Sequence, residues 1–315
     1  MIMILTNRER LSCNLPHFFK YKKQRECFLM SAVNQIVFKR CSEVEDRFIH
    51  QAFQDGFSDY IVKFDFSEEA FISRFFGQEG NSRMYSFIAF DQEQPVGVIL
   101  GGIKNYESIK TMRCGTLAIH PDYRGKRISQ KLFELHKEEA VMQGCKQLFL
   151  EVIVGNDRAI NFYKRLGYEK IYDIVYFANS DLATLKKGSD ITCKKIDFER
   201  FKQVVKKWDY HINWQNDLEY VAEVPSITYY ASFENGVVTG ASAIHPTGNI
   251  HFLMVDKAHR GMGIGTKLLQ AAASDLQLTK MSTAFPNNSL LEGFYKKQGF
   301  TKAELAQYEM YMPIL

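Results

Sequence analysis

No apolar run in the 315 residues approaches the roughly 20 needed to span a bilayer as a helix, so a membrane protein of the helical kind is not expected. Cysteine is scarce. Its six copies, at 13, 27, 41, 114, 145 and 193, form neither a CxxC pair nor a Cys/His metal spacing, which leaves no metal site to propose and reads as free thiols of a reducing cytoplasm. Charge of one sign is also lacking: 40 Lys and Arg stand against 36 Asp and Glu, a net +4. Without a dense basic face, nucleic acid is not an expected partner, although mild basicity suits an anionic cofactor held locally. Asn7, Arg8, Glu9 and Arg10 interrupt any signal-peptide core. Residues 1–30, which mix Lys20, Lys22, Lys23 and Arg25 with Phe18, Phe19 and Tyr21, read as a poorly ordered leader. There is no phosphate-binding GKS or GKT, and no G-x-G-x-x-G opens a strand-turn-helix.

What the chain does have is a repeat. HPDYRGKRISQKLF (His120–Phe133) matches DKAHRGMGIGTKLL (Asp256–Leu269), and NDRAINFYKRLGY (Asn156–Tyr168) matches NSLLEGFYKKQGF (Asn288–Phe300). Arg124 and Tyr163 are 39 residues apart; Arg260 and Tyr295 are 35 apart. Two matched pairs in the same order imply a duplicated domain. Turn-rich sequence at 178–192 divides a first domain, 31–180, from a second, 190–315.

Hydrophobic periodicity predicts, in the first unit, strands at 35–39, 84–90, 95–103, 112–119, 148–154 and 171–177, with helices at 43–54, 68–76, 124–143 and 157–166. In the second unit it predicts strands at 227–233, 236–244, 249–255 and 280–284, helices at 262–275 and 289–298, and a final strand. Each last strand is expected to close its own unit. The fold class is therefore α/β, a mixed α+β sheet with helices.

Strand, tight basic turn and helix together make an anion-binding device. First-turn amides lack intrahelical acceptors, the dipole end is positive, and glycine allows close approach. The second unit supplies Arg260, Gly261, Met262, Gly263, Ile264 and Gly265. The first supplies Arg124, Gly125, Lys126, Arg127, Ile128 and Ser129, with Arg127 and Ser129 where the second unit has glycines. Arg-x-x-Gly-x-Gly after a short strand resembles the acetyl-CoA pyrophosphate loop of the GNAT acetyltransferases, over roughly residues 35–178 and 190–315.

That resemblance implies two tandem GNAT-like acyl-CoA N-acyltransferase domains, with acetyl-CoA as acyl donor and a primary amine of a small molecule or peptide as acceptor. Strand residues Leu117, Ala118 and Ile119, and Leu253, Met254 and Val255, would line the pantetheine slot and offer amides to the acyl oxygen. Asn156 and Asn288 belong to the same cofactor set. Tyr163, and Tyr295 in the second unit, match the tyrosine beside the CoA sulfur, where a phenol can protonate a departing thiolate. Glu151, in LFLEVIVGN, resembles the base of the ribosomal-protein alanine N-acetyltransferases. At the matching place the second unit has Thr283, with His251 as a substitute. The first unit is thus expected to be catalytic and the second structural, regulatory or a separate CoA binder. The competing reading is a non-catalytic acyl-CoA sensor or scaffold. Phe57, Ser58, Asp59, Tyr60, Phe71 and Phe75 are candidates for acceptor selectivity, with Asp59 placed to attract a cationic amine.

Overall fold

The computed structural model describes residues 36–60, 62–188, 190–207 and 210–314; the leader at 1–30 lies outside the described residues. The first unit runs β1 (Val37–Arg40), α1 (Asp46–Gly56), α2 (Glu68–Ile72) continuing into a π-helical turn (Ser73–Gln78), β2 (Ser82–Asp91), β3 (Gln94–Tyr106), β4 (Ile109–Ile119), α3 (Ile128–Met142), β5 (Gln147–Ile153), α4 (Asp157–Leu166) and β6 (Glu169–Asn179). The second runs β7 (Cys193–Ile196), α5 (Phe198–Val205), α6 (Leu218–Glu223), β8 (Thr228–Glu234), β9 (Val237–Ile244), β10 (Asn249–Val255), α7 (Ile264–Asp275), β11 (Met281–Pro286), α8 (Ser289–Lys297) and β12 (Thr301–Pro313).

The twelve strands among the described residues join one mixed sheet, in the order β1-β2-β3-β4-β5-β12-β6-β11-β10-β9-β8-β7. Helices cover both faces. On one side of the first unit, Ile128, Leu132 and Phe133 of α3 pack on Val96, Ile99, Leu148 and Leu150. On the other, Ile49 and Phe53 of α1 and Phe71 of α2 pack on Ile88, Val98 and Leu100. The second unit repeats this with Leu268 and Leu269 of α7 on one face and Phe201 and Val204 of α5 on the other. Its early elements β7, α5 and α6 were not predicted. β7 and α6 are only four and six residues long, while α5, capped by Asp197 and burying Phe201, Val204 and Val205, carried a helical signal that was missed.

Two expectations are corrected. The helices after the basic turns begin at Ile128 and Ile264, not at 124 and 262, because Arg127 (φ 64°) and Gly263 (φ 77°) are left-handed and interrupt the helical path. The closing strands do not close their own units. β12 pairs with β5 (Gln307–Pro313 against Gln147–Ile153), while β6 pairs with β11 (Ile174–Asn179 against Met281–Pro286), and the two exchanged strands also pair with each other. Met310 and Met312 thereby enter the first core, and Val175 and Phe177 the second. Alternation of apolar and polar residues specifies a strand's faces, not which edge it joins, so the exchange was not legible locally.

Candidate active site

β4 and β5 are parallel partners only at Thr111–Arg113 with Gln147–Phe149. Beyond that they part, so the β5-facing edge of β4 from Cys114 onward has no strand partner. A cavity of about 1310 Å³ opens there. Leu117, Ala118 and Ile119 line it, as do Arg124, Gly125, Arg127, Ile128 and Ser129 of the basic turn, and Glu151, Asn156 and Tyr163. The structure therefore brings together the first unit's predicted set, apart from Lys126. That ammonium sits 4.3 Å over the Tyr123 ring.

The turn has the form an anion needs. No side chain caps α3, so its first-turn amides lack a capping acceptor. A Cβ built on Gly125 meets nothing within 4 Å, so the cradle is open. Its backbone matches the second unit's: φ is 80° at Gly125 and 81° at Gly261. Arg127 takes the left-handed place of Gly263, so its departure from the motif leaves the loop's path intact. Arg124 is differently employed. Its Nε donates to the Ile119 carbonyl (3.1 Å) and its Nη2 to Gly56 O (3.0 Å) and Asp59 Oδ1 (2.7 Å). It ties the strand end to the loop after α1. Asp59, expected to attract a cationic amine, is instead paired with this guanidinium, which holds its carboxyl below the ordinary range.

Asn156 caps α4, its Oδ1 accepting from Ala159 N at 3.2 Å, while its Nδ2 donates to the Tyr60 hydroxyl at 3.3 Å. Gly167, at φ 102°, ends that helix. Tyr163 is thus held at a fixed height beside the parted strands. Burial raises its phenol well above the ordinary value, so it keeps its proton at neutral pH. Nearby, the Cys114 thiol donates to Thr116 O at 3.7 Å, and burial pushes its pKa up to about 12. Phe57, Tyr60 and Phe75 line the cavity; Ser58 does not, and Phe71 is core.

Glu151 sits at the floor. Its Oε2 accepts from Arg113 Nε (3.1 Å), Arg113 Nη2 (2.7 Å) and Gln215 Nε2 (2.9 Å). Oε1 is buried and has no partner. Burial raises the carboxyl above its usual range; Arg113 opposes this, and Glu309 and Glu79 add to it. Arg113 also donates to Glu79 Oε2 at 2.8 Å, so one buried cation serves two buried carboxylates. The π-helical turn places Glu79, whose N–H reaches back five residues to Arg74 O. Arg113, Glu79 and Gln215 were missed. The signal for Arg113 was present, since an arginine inside the apolar strand TMRCGTLAI needs buried carboxylates.

The second unit's set is placed otherwise. β10 and β11 also part, after pairing at Asn249–Ile250 with Ser282–Thr283. The space between them is only about 40 Å³, lined among others by Leu253, Asn288 and Tyr295. Tyr295 packs on Phe285 (ring centroids 5.5 Å apart) within the second core. Arg260 donates to Val255 O at 3.1 Å. Met262 is exposed, and Met254 packs in the core under α5. None of Val255, Arg260, Gly261, Met262, Gly263, Ile264 and Gly265 lines either cavity. His251 lines the large cavity, but burial lowers its imidazole to about 4, and Asn249 and Asn216 engage its two nitrogens.

Family models match one stretch of each unit. The Acetyltransferase (GNAT) family model matches residues 47–168, and an Acetyltransferase (GNAT) domain model matches 225–302. An acetyltransferase of Sodalis glossinidius is 34% identical over 74 residues, 24% of this chain and 49% of that protein, so the match spans about half of that relative. N-alpha-acetyltransferase 30 of Schizosaccharomyces pombe is 29% identical over 119 residues, 36% of this chain and 77% of that one. Among solved structures, a GCN5-related N-acetyltransferase of Sphaerobacter thermophilus aligns at TM-score 0.62 and 12% identity over 88% of this chain and 95% of its own. A tandem GNAT protein from the clavulanic acid biosynthesis pathway aligns at TM-score 0.61 and 13% identity, over 89% and 98%. These two likenesses bear on the fold.

Proposed function

Since the chain belongs to the GNAT acetyltransferase family, with two of its domains in tandem, and this family uses acyl-CoA, we propose that it is an acetyl-CoA-dependent N-acetyltransferase. In this reading the first unit does the chemistry, on a primary amine of a small molecule or peptide. One observation carries it: Glu151, whose buried Oε1 has no hydrogen-bond partner, is among the residues lining the same cavity as Tyr163 and the uncapped helix start at Arg127–Ser129. Side chains filling the gap between β10 and β11 leave the second unit no comparable space.

The residues fit the donor. Open glycine turns and uncapped amides suit a pyrophosphate, and Arg127, Arg158 and Arg165 line the same cavity. When bound, acetyl-CoA supplies an activated acyl group. Glu151 Oε1 takes the proton of an acceptor ammonium, freeing the nitrogen lone pair for direct attack. The free edge of β4 offers amides to the acyl oxygen as charge develops there. Tyr163 gives its proton to the departing thiolate sulfur. The carboxyl's raised pKa favours the first transfer, and Arg113 opposes the rise that burial causes.

The S. pombe relative is by name an N-alpha-acetyltransferase, which supports peptide N-termini as one acceptor class. The test is release of free CoA thiol from acetyl-CoA with a panel of amino sugars, polyamines and short peptides. Glu151→Gln and Tyr163→Phe are each expected to slow the responsive acceptor by about 10²-fold or more. Unchanged turnover in both would remove the first unit from the chemistry.

A further inference from the structure

Several segments of the second unit line the first unit's cavity, and one of them, the 3-10 turn at Trp214–Asn216, supplies the side chain that bonds Glu151. We propose that Gln215 is a positioning residue for Glu151, and that the gap between β10 and β11 has become the socket that holds it there. This deepens the proposed function, on whose assignment of Glu151 it rests.

The socket is built from both strands. Asn216 Nδ2 donates to Ala284 O of β11 at 2.7 Å, and its Oδ1 accepts from His251 Nδ1 of β10 at 3.0 Å. His251 Nε2 in turn accepts from Asn249 Nδ2 at 3.0 Å, which fixes the neutral tautomer with its proton on Nδ1. One carboxamide therefore bridges the two strands where they stop pairing, in the place where the first unit has its open slot. Asn213 Oδ1 accepts the other Asn216 N–H at 2.8 Å and closes the turn.

The first unit grips the same segment from the opposite side. Trp214 stacks on Phe149 of β5, centroids 5.3 Å apart and planes 14° apart. Lys104 Nζ lies 3.7 Å over the Trp214 ring and donates to its carbonyl at 3.3 Å. The same ammonium pairs with Asp217 at 2.5 Å. Between these two clamps, Gln215 donates its Nε2 to Glu151 while its Oε1 accepts from Asn213 Nδ2 at 3.4 Å. Together with Arg113 it gives Glu151 Oε2 three N–H donors and leaves Glu151 Oε1 with none. A carboxylate so held cannot rotate its bare oxygen away without breaking all three bonds. The other groups facing it are Glu79 beyond α2, Glu309 directly opposite on β12, and the phenols of Tyr106, Tyr176 and Tyr220.

The test reads the carboxyl itself, and its titrations need no acceptor. Chain labelled with 13C at glutamate side-chain carboxyls is titrated by NMR, and Glu151 is identified by its loss in Glu151→Gln. Gln215 bonds the charged form, so Gln215→Leu should raise the Glu151 midpoint by about one pH unit. Asn216→Ala should move it the same way, since it empties the socket without touching Glu151. Acetyl-CoA affinity should stay within about twofold in both, showing that the fold is kept. An unmoved midpoint in Gln215→Leu overturns the positioning role, and a midpoint moved by Gln215→Leu but not by Asn216→Ala overturns the socket. If Glu151→Gln keeps full turnover while Gln215→Leu still shifts the midpoint, the catalytic assignment fails and the coupling between the units stands.

Discussion

Raising pH should loosen the junction between the two units through His211. Its Nε2 lies 2.5 Å from Glu309 Oε2 and its Nδ1 2.7 Å from Glu107 Oε1, and the ring stacks on Tyr172 at 3.9 Å. Burial pulls the imidazole pKa down, but the two carboxylates outweigh it and raise it from 6.5 to about 9. A histidine raised in the folded state contributes stability that is fully present below its unfolded value, near 6.5, and is lost as pH climbs through about 9. Each pH unit in that window is worth about 1.4 kcal/mol, which gives about 3 kcal/mol. Glu107 is half exposed, with 49% of its side chain in solvent, so screening reduces this to about 2 kcal/mol. Denaturant unfolding at pH 6 and pH 10 measures it. The wild type should lose about 2 kcal/mol more over that range than His211→Gln does, even though the variant is weaker at every pH for leaving Glu309 buried and unpaired. Equal losses in the two proteins would refute the reasoning.

Two further outcomes follow from local geometry. Arg127→Gly should stabilise the fold by about 1 kcal/mol, because a non-glycine residue at φ 64° is strained, yet weaken acetyl-CoA binding severalfold by removing a cation from the cavity; thermal unfolding and calorimetry read the two opposed signs, and tighter binding would contradict the role given to that side chain. A fragment of residues 31–180 should fail to fold alone, since the first core then lacks Met310 and Met312. Losses of about 2–5 kcal/mol for each such side chain approach a whole domain's stability of about 5–15 kcal/mol. Co-expression with residues 181–315 should restore a soluble complex, and a well-folded lone fragment would contradict the strand exchange.

The sequence exposed what is written locally. Asn156, Gly167 and the turn from Arg124 to Ser129 carry their conformations in adjacent residues, so cap, helix stop and anion cradle could be read directly. The duplication was visible for the same reason, because two motifs recur at fixed spacing. What escaped depends on partners far along the chain. β6 and β12 show the alternation of any closing strand, and nothing in it names the edge they join. Arg113 is 34 residues from Glu79 and 38 from Glu151, and Gln215 is 64 from Glu151. Asp59 was legible as an exposed acid but not as the partner of Arg124. The two basic turns likewise read as near equals, the second even the more complete. The difference between them comes from Phe285, Tyr295 and Asn216, which close the space beside the better motif.

The account turns on one active slot per chain, and acetyl-CoA titration by calorimetry counts slots. Wild type should bind one equivalent. Ser129→Glu, which sets a negative charge at the start of α3, should abolish binding, while Met262→Glu, at the exposed turn of the second unit, should leave it intact. Two equivalents, or a single site that survives Ser129→Glu and is lost with Met262→Glu, would contradict the assignment of the chemistry to the first unit.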